Sequence, residues 1–153
     1  MKPSIIRLTK EFRFEAAHAL WNYDGLCRNV HGHSYVLQVT IKGVPVSDDT
    51  DPKLGMVMDF SDLKKIIKEN IIKPFDHALV VNANTPHKEL KETNQMFGKM
   101  LVVPYQPTCE NMIVDFAGRI IEKLPAHVHL HALCLYETSS SFAEWYAEDQ
   151  LLR

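Results

Sequence analysis

The chain has 153 residues, of which 46% are hydrophobic and 24% are charged, a composition typical of one soluble globular domain. Its net charge of −2 argues against a strongly basic surface, so we expect neither nucleic acid nor a membrane as partner. The three cysteines are an odd number at wide spacing, which argues against a disulfide framework and favours a reducing compartment.

The N-terminal segment does not resemble a secretion signal. It has no long apolar core and no small-residue cleavage site, and no apolar run in the chain approaches the ~18 residues of a membrane helix. We therefore expect a cytoplasmic protein with one domain over residues 1–153.

Period-two alternation predicts two long strands in the first third of the chain. The first covers residues 6–14 and runs on to His18, and the second begins at His31 and extends to about residue 42. His31 and His33 share one face of the second strand, at a backbone spacing of roughly 6.6 Å. These two imidazoles can therefore converge on one ion from the same side.

Two amphipathic helices follow. Asp59 is the predicted N-cap of the first helix, which Pro74 ends, and Thr108 opens the second, which Pro125 ends. The apolar stripe of the first helix comprises Phe60, Leu63, Ile67 and Ile71. The buried face of the second comprises Cys109, Met112, Ile113, Phe116, Ile120 and Leu124.

The rest of the chain predicts shorter elements. Residues 82–107 are weakly patterned, with a short helix within 88–97 and a brief strand at 101–103. Residues 128–136 alternate as a strong strand, and a turn at 138–141 leads to a last strand at 142–146. The order of elements predicts an α+β fold, with a largely antiparallel sheet and helices on one face.

A candidate metal site lies in the first half of the chain. His18, His31 and His33 provide three imidazoles, the ligand set of an open catalytic zinc that keeps a fourth position for water or substrate. Cys27 lies in the loop between the strands, where a nearby cation would favour its thiolate. The segment predicts a metal, a nucleophile or base, and a vacant coordination site together.

A second histidine group satisfies the same geometric condition. His127, His129 and His131 alternate onto one face of a strand and could chelate a metal on spacing alone. No thiol accompanies them, and a solvated or interface face is the alternative interpretation. Periodicity does not decide between the two groups.

Five motifs occur together in the order shown by the 6-pyruvoyl-tetrahydropterin synthase family, and the chain resembles that family over about residues 9–145. The motifs are Phe14-Glu15-Ala16-Ala17-His18, Cys27-x-x-x-His31-Gly32-His33, Asp76-His77, Pro107-Thr108-Cys109-Glu110-Asn111 and Glu137-Thr138. Only three residues separate Cys27 from His31, which resembles the bacterial 6-carboxy-tetrahydropterin synthases of the queuosine pathway. A further branch has glutamate in place of the cysteine, and Cys27 argues against it.

The resemblance implies a fold and an assembly. The expected architecture is the tunnelling fold, in which two helices pack on one face of a four-stranded antiparallel sheet. Sheets of several subunits join edge to edge into a barrel, so the edges are used in assembly. An obligate homo-oligomer, a hexamer, with active sites between subunits is implied.

The resemblance also implies the roles of individual residues. His18, His31 and His33 match the ligands of Zn²⁺, and Cys27 matches the general base. Asp76 and His77 match a pair that relays a proton with Glu137, which also matches the carboxylate that anchors the pterin ring. Thr108 and Glu110 are expected to line the same pocket.

The implied reaction converts 7,8-dihydroneopterin triphosphate to 6-carboxy-5,6,7,8-tetrahydropterin with release of acetaldehyde and triphosphate. Two alternatives remain open: plain elimination of triphosphate to 6-pyruvoyl-tetrahydropterin, or a zinc-binding scaffold of the same fold without activity. Residues 82–106 are longer than a compact family member needs, and two roles stay open for them: lining the site or covering a subunit edge. Cys109 is interpreted as a small buried residue.

Overall fold

The computed structural model of the protein describes residues 2–152, which form one six-stranded sheet with helices packed on one face. The strands are β1 (Ile6–His18), β2 (His31–Gly43), β3 (Ala78–Asn82), β4 (Met100–Val103), β5 (His129–Tyr136) and β6 (Phe142–Tyr146). The helices are α1 (Phe60–Ile67), a π-helical stretch (Lys68–Ile72), α2 (Lys73–Phe75) and α3 (Cys109–Ile121). Short 3₁₀ turns cover Leu26–Arg28, Pro86–Glu92, Gln95–Phe97 and Glu148–Leu152.

The strand order is β4-β3-β1-β2-β5-β6. The four strands β1, β2, β5 and β6 pair antiparallel, as predicted, but β3 pairs parallel to β1 and β4 pairs parallel to β3. The α+β class is confirmed, and the description of a four-stranded antiparallel sheet is wrong by two strands. Residues 78–81 are all buried, so β3 lacks the alternation that would have marked it as a strand.

The first helix begins where the sequence predicts. The Asp59 side chain accepts a hydrogen bond of 2.7 Å from the backbone N–H of Ser61, which confirms the N-cap. The helical path widens to π geometry before Pro74, whose ring provides no N–H, and ends at Phe75. Phe60 is exposed, so its place in the buried stripe is wrong, and its ring lies 5.6 Å from Lys10 Nζ.

The hydrophobic core lies between the helices and the inner face of the sheet. Phe14 stacks on Tyr35 with ring centroids 5.0 Å apart, and Phe75 meets Phe116 edge-on at 4.8 Å. The predicted buried face of α3 is confirmed at Cys109, Met112, Ile113, Phe116 and Ile120. This contact fixes α3 across the sheet and so fixes the position of the residues just before it.

A β-bulge interrupts the pairing of β5 with β2. The register shifts between Thr40 and Ile41, which leaves His131 as the additional residue on β5. After the shift the buried residues are Leu133 and Leu135, whereas strict alternation from Leu130 would have buried the even-numbered positions. A bulge moves every following side chain to the opposite face, which strict period-two counting does not anticipate.

Cys27, Cys109 and Cys134 are all free thiols, which confirms the expectation of no disulfide framework. Among residues 2–152, the helices lack the length and apolar character that a membrane-spanning segment requires.

Candidate metal centre and adjoining cleft

Three histidines meet at the end of the β1–β2 pair. His18 lies directly opposite His31 in the antiparallel register, and His33 lies two residues further along β2 on the same face. The Nε2 atom of His18 lies 2.9 Å from that of His31 and 3.2 Å from that of His33. Their ligand atoms all lie within 4.8 Å of one another, the only such group among the described residues.

The hydrogen bonds on the other ring nitrogens indicate the tautomers. His18 Nδ1 lies 2.6 Å from the carbonyl oxygen of Pro107, and His31 Nδ1 lies 2.8 Å from that of Asn29. A carbonyl only accepts, so each Nδ1 donates and each Nε2 presents a lone pair towards the centre. Lone pairs facing at 2.9 Å repel unless a cation lies between them.

The arrangement fits a metal ion. Two nitrogens bound tetrahedrally to zinc at 2.0–2.1 Å would lie about 3.3 Å apart, close to the separations here. Burial, reinforced by the neighbouring imidazoles His31 and His33, lowers the pKa of His18 to about 4, although its bond to Pro107 opposes the shift. His18 is therefore neutral at physiological pH, as a metal ligand must be.

Glu137 lies beside the histidine cluster. It follows β5, and its Oε1 accepts a hydrogen bond of 3.4 Å from the Tyr35 hydroxyl and lies 4.0 Å from His18 Nε2. Burial and the Glu137 charge raise the pKa of Tyr35 well above its usual range, so the phenol remains a donor. The structure thus places one predicted carboxylate next to the three predicted ligands.

Cys109 lies in the same region but is not a candidate nucleophile. Its thiol is buried and donates to the carbonyl oxygen of Leu135 at 3.3 Å. Burial first, and then the Glu137 carboxylate, raise the pKa of this thiol to about 12, so it is protonated at neutral pH. This confirms its interpretation as a small buried residue.

Asp76 and His77 form a pair at the corner between α2 and β3. Asp76 Oδ2 lies 3.0 Å from His77 Nδ1, and Asp76 Oδ1 accepts the backbone N–H of Glu15 at 2.9 Å. The Glu15 hydrogen bond, followed by His77 and Lys99, holds the pKa of Asp76 below its usual range. Within the described residues of one chain, no hydrogen bond joins this pair to Glu137.

An open cleft of about 540 Å³ is lined both by the corner that carries this pair and by the adjoining ends of β1 and β2. His33 from the cluster and His77 from the corner both line it, together with Met96, Phe97 and Lys99 from the segment 82–107. The long segment therefore forms one wall of this cleft, whereas the sequence left open whether it lines a site or covers a subunit edge.

Cys27 lies in the 3₁₀ turn of the loop that joins β1 to β2. Its carbonyl oxygen accepts the N–H of Leu20 at 3.0 Å, which brings this loop back to the end of β1. The side chain is half-buried, and the thiol is not part of the three-histidine group. Two hydrogen bonds also join this loop to the segment before α3. Gln106 Oε1 accepts the N–H of Trp21 at 3.2 Å, and Gln106 Nε2 donates to the Trp21 carbonyl oxygen at 2.8 Å.

Thr108 and Glu110 lie at the start of α3. Thr108 Oγ1 accepts the N–H of Asn111 at 3.3 Å, so this residue is the helix N-cap, and Glu110 is exposed in the first turn. The cap follows Pro107, whose carbonyl orients His18. Thr108 thus helps to set the backbone that positions a ligand.

The second histidine group does not assemble. His127 and His129 are exposed, whereas His131 is buried at the bulge, which corrects the expectation of a solvated face for that residue. The Nδ1 atom of His131 is buried without a hydrogen-bond partner among the described residues, and Glu148 Oε1 lies 3.8 Å away. Among residues 2–152, only the group at His18 brings such ligand atoms together.

Sequence reasoning missed several positioning groups. Pro107 and Asn29 act through backbone carbonyls, which carry no side-chain signal. Tyr35 could have been found, because it shares the period-two face of His31 and His33. Lys99 lies in a weakly patterned segment, and nothing in its neighbourhood indicates a role.

The model of the 6-pyruvoyl tetrahydropterin synthase family matches residues 7–148. Two curated relatives are called 6-carboxy-5,6,7,8-tetrahydropterin synthase. That of Haemophilus influenzae is 35% identical, with 92% of this chain and 99% of the relative covered, and that of Aquifex aeolicus is 34% identical, with 92% and 98% covered. The human 6-pyruvoyl tetrahydrobiopterin synthase is 29% identical, with 93% and 92% covered.

Solved structures support the fold. An uncharacterized protein of Wolinella succinogenes superposes with a TM-score of 0.76 at 20% identity, covering 94% of this chain and 99% of that one. The 6-pyruvoyl tetrahydropterin synthase of Caenorhabditis elegans superposes with a TM-score of 0.66 at 23% identity, covering 94% and 96%. The six-stranded sheet with helices on one face is therefore a known architecture.

Proposed function

The chain belongs to the 6-pyruvoyl tetrahydropterin synthase family, and from this we propose that it converts 7,8-dihydroneopterin triphosphate to 6-carboxy-5,6,7,8-tetrahydropterin. Acetaldehyde and triphosphate leave, and a molecule of water is consumed. The observation that carries the proposal is the convergence of three Nε2 atoms beside Glu137. The names of the two bacterial relatives and the short spacing from Cys27 to His31 favour this product.

Zn²⁺ is the proposed metal, held by His18, His31 and His33. Three neutral imidazoles are a ligand set of catalytic zinc, and the Nδ1 bonds to Pro107 and Asn29 hold two of them in the required tautomer. When bound, the ion supplies Lewis acidity that lowers the pKa of an attached oxygen.

Glu137 is the proposed anchor for the pterin ring. A carboxylate accepts two parallel hydrogen bonds, and the 2-amino group and neighbouring ring N–H of a pterin present two donors side by side. The Tyr35 hydroxyl orients the carboxylate from the core side. Thr108 and Glu110, at the start of α3, are proposed to line the same pocket.

Proton transfer is assigned to Cys27 and to the Asp76–His77 pair. Cys27, as the thiolate, removes a proton from the substrate side chain, and His77 exchanges the second proton while Asp76 orients its ring. Glu137 takes part in this proton relay through the bound substrate, because no hydrogen bond joins it to the pair within the described residues of one chain.

A homo-oligomer, in the form of a hexamer with sites between subunits, is part of the proposal. Strands β4 and β6 are the outer strands of the sheet, and each leaves one edge without a partner strand among the residues that the structure describes. Pairing of such edges between copies would extend the sheet towards a barrel. Native mass spectrometry of the zinc-loaded protein measures the stoichiometry, and a monomer at micromolar concentration would contradict it.

The decisive experiment is turnover of 7,8-dihydroneopterin triphosphate by the zinc-loaded protein, with product identification by mass spectrometry and an assay for acetaldehyde. We expect equal amounts of acetaldehyde and the 6-carboxy product. Formation of 6-pyruvoyl-tetrahydropterin without acetaldehyde would replace the carbon–carbon cleavage with plain elimination. No product from zinc-loaded protein would favour a scaffold without activity.

A further inference from the structure

The Lys99 side chain extends from the residue just before β4 to the C-terminal end of α2. Its Nζ donates to the carbonyl oxygen of Lys73 at 3.0 Å and to that of Asp76. Carbonyls in the last turn of a helix have no partner within the helix, and a cation there interacts favourably with the helix dipole. Lys99 therefore closes the C-terminal end of the helix that leads into His77.

The backbone of Lys99 is itself held in place. Its carbonyl oxygen accepts the N–H of Leu79 at 3.0 Å, beside the pairing of β3 with β4. The lysine is thus anchored to the strand that follows His77 and bound through its side chain to the turn that precedes it. One residue spans both sides of the corner.

The corner adopts an unfavourable backbone conformation. His77 has φ of 59°, in the left-handed region that a residue with a side chain rarely adopts. Glu15 on β1 holds this corner from one side, because its N–H donates to Asp76 Oδ1 and its carbonyl accepts the His77 N–H at 2.6 Å. Lys99 holds it from the other side.

We propose that Lys99 is a positioning residue, which holds the Asp76–His77 pair against the cleft for proton transfer. The inference rests on the proposed function. It assigns a task to the connection between β3 and β4, which supplies the lysine and also lines the cleft that His77 enters. A cationic side chain at position 99 keeps the corner in place through its hydrogen bonds to the Lys73 and Asp76 carbonyls.

The test compares Lys99→Met, which keeps the aliphatic stem and removes the donors, with Lys99→Arg, which keeps the charge and the donors. Lys91→Met is the matched control, since Lys91 is an exposed lysine of the same connection. We expect Lys99→Met to lower kcat about tenfold, as small misplacements of reacting groups do. KM should stay within about twofold because ring anchoring at Glu137 is untouched, and Lys99→Arg should recover most of kcat.

A second measurement does not depend on turnover. Amide hydrogen exchange at His77, followed by NMR, should be faster in Lys99→Met than in the wild type and unchanged in Lys91→Met. Wild-type kcat in Lys99→Met, or a rise in KM alone, would overturn the proposal. If the wild type proves inert, the proposed function fails separately, and unchanged His77 exchange in Lys99→Met would then overturn the positioning role.

Discussion

The carbonyl oxygen of Pro107 accepts a hydrogen bond of 2.6 Å from Nδ1 of His18, across 89 positions of the sequence. This bond joins the segment before α3 to the last residue of β1. It leaves the Nε2 lone pair of His18 directed at His31 and His33. The packing of α3 on the sheet therefore sets the geometry of the metal site.

Removal of one imidazole should abolish metal binding. His31→Ala leaves two ligands, and we expect the zinc content to fall from about one ion per chain to a small fraction of that, because catalytic zinc requires three protein ligands. Metal analysis after dialysis measures the change. His129→Ala is the control and should retain zinc. If His129→Ala lost its zinc while His31→Ala kept it, the metal site would lie at the second histidine group instead.

Replacement of Cys27 by alanine should separate chemistry from metal binding. The thiol is not one of the three clustered ligands, so zinc content should stay at the wild-type level. Loss of a general base typically costs 10²- to 10⁴-fold in rate, and we expect kcat to fall by about that factor. Cys134→Ala serves as the control thiol, and wild-type turnover in Cys27→Ala would refute the assignment.

Tyr35→Phe should weaken substrate binding. The variant loses the hydroxyl that donates to Glu137 Oε1 at 3.4 Å. A hydrogen bond of this kind contributes roughly 0.5–1.5 kcal/mol, which corresponds to about a 2- to 10-fold rise in KM with a smaller change in kcat. Steady-state kinetics measures both values. An unchanged kcat/KM would mean that the phenol does not orient the carboxylate.

His131 should make folding stability depend on pH. Burial first, and then the positive charges of Arg7 and Lys42, lower its pKa below the usual 6.5, and Glu148 only partly opposes them. As the pH falls below about 6.5, the unfolded chain binds a proton that the folded chain resists, so the free energy of unfolding decreases. His131→Leu should flatten this dependence.

Urea unfolding of wild type and His131→Leu between pH 7.5 and pH 5.5 is the corresponding measurement, with these values chosen roughly one unit either side of 6.5. Saturating zinc keeps the contribution of the other histidines equal in the two proteins. Parallel pH dependences in both would show that His131 does not contribute.

Local sequence patterns predict many of the strands and helices of this fold. The long strands β1 and β2 and the helix α3 carry strong periodicity, and Asp59 and Thr108 mark helix starts with side chains suited to capping. The strand β3 escaped prediction because all but its last residue are buried. The sequence did not predict the bulge at His131, because one additional residue reverses the faces of a strand without any change in composition.

The sequence by itself determined the ligand types, since the imidazoles of His18, His31 and His33 and a nearby thiol are chemical facts of the chain. Periodicity did not decide between the two histidine groups, and the family resemblance favoured the first. Only the tertiary structure shows which group converges, because His18 and His31 become neighbours through the pairing of β1 with β2, while the bulge buries His131 away from His127 and His129. It also decided which backbone carbonyls orient the rings and which lysine holds the Asp76–His77 corner. Such contacts join residues distant in the chain, and local periodicity carries no information about them.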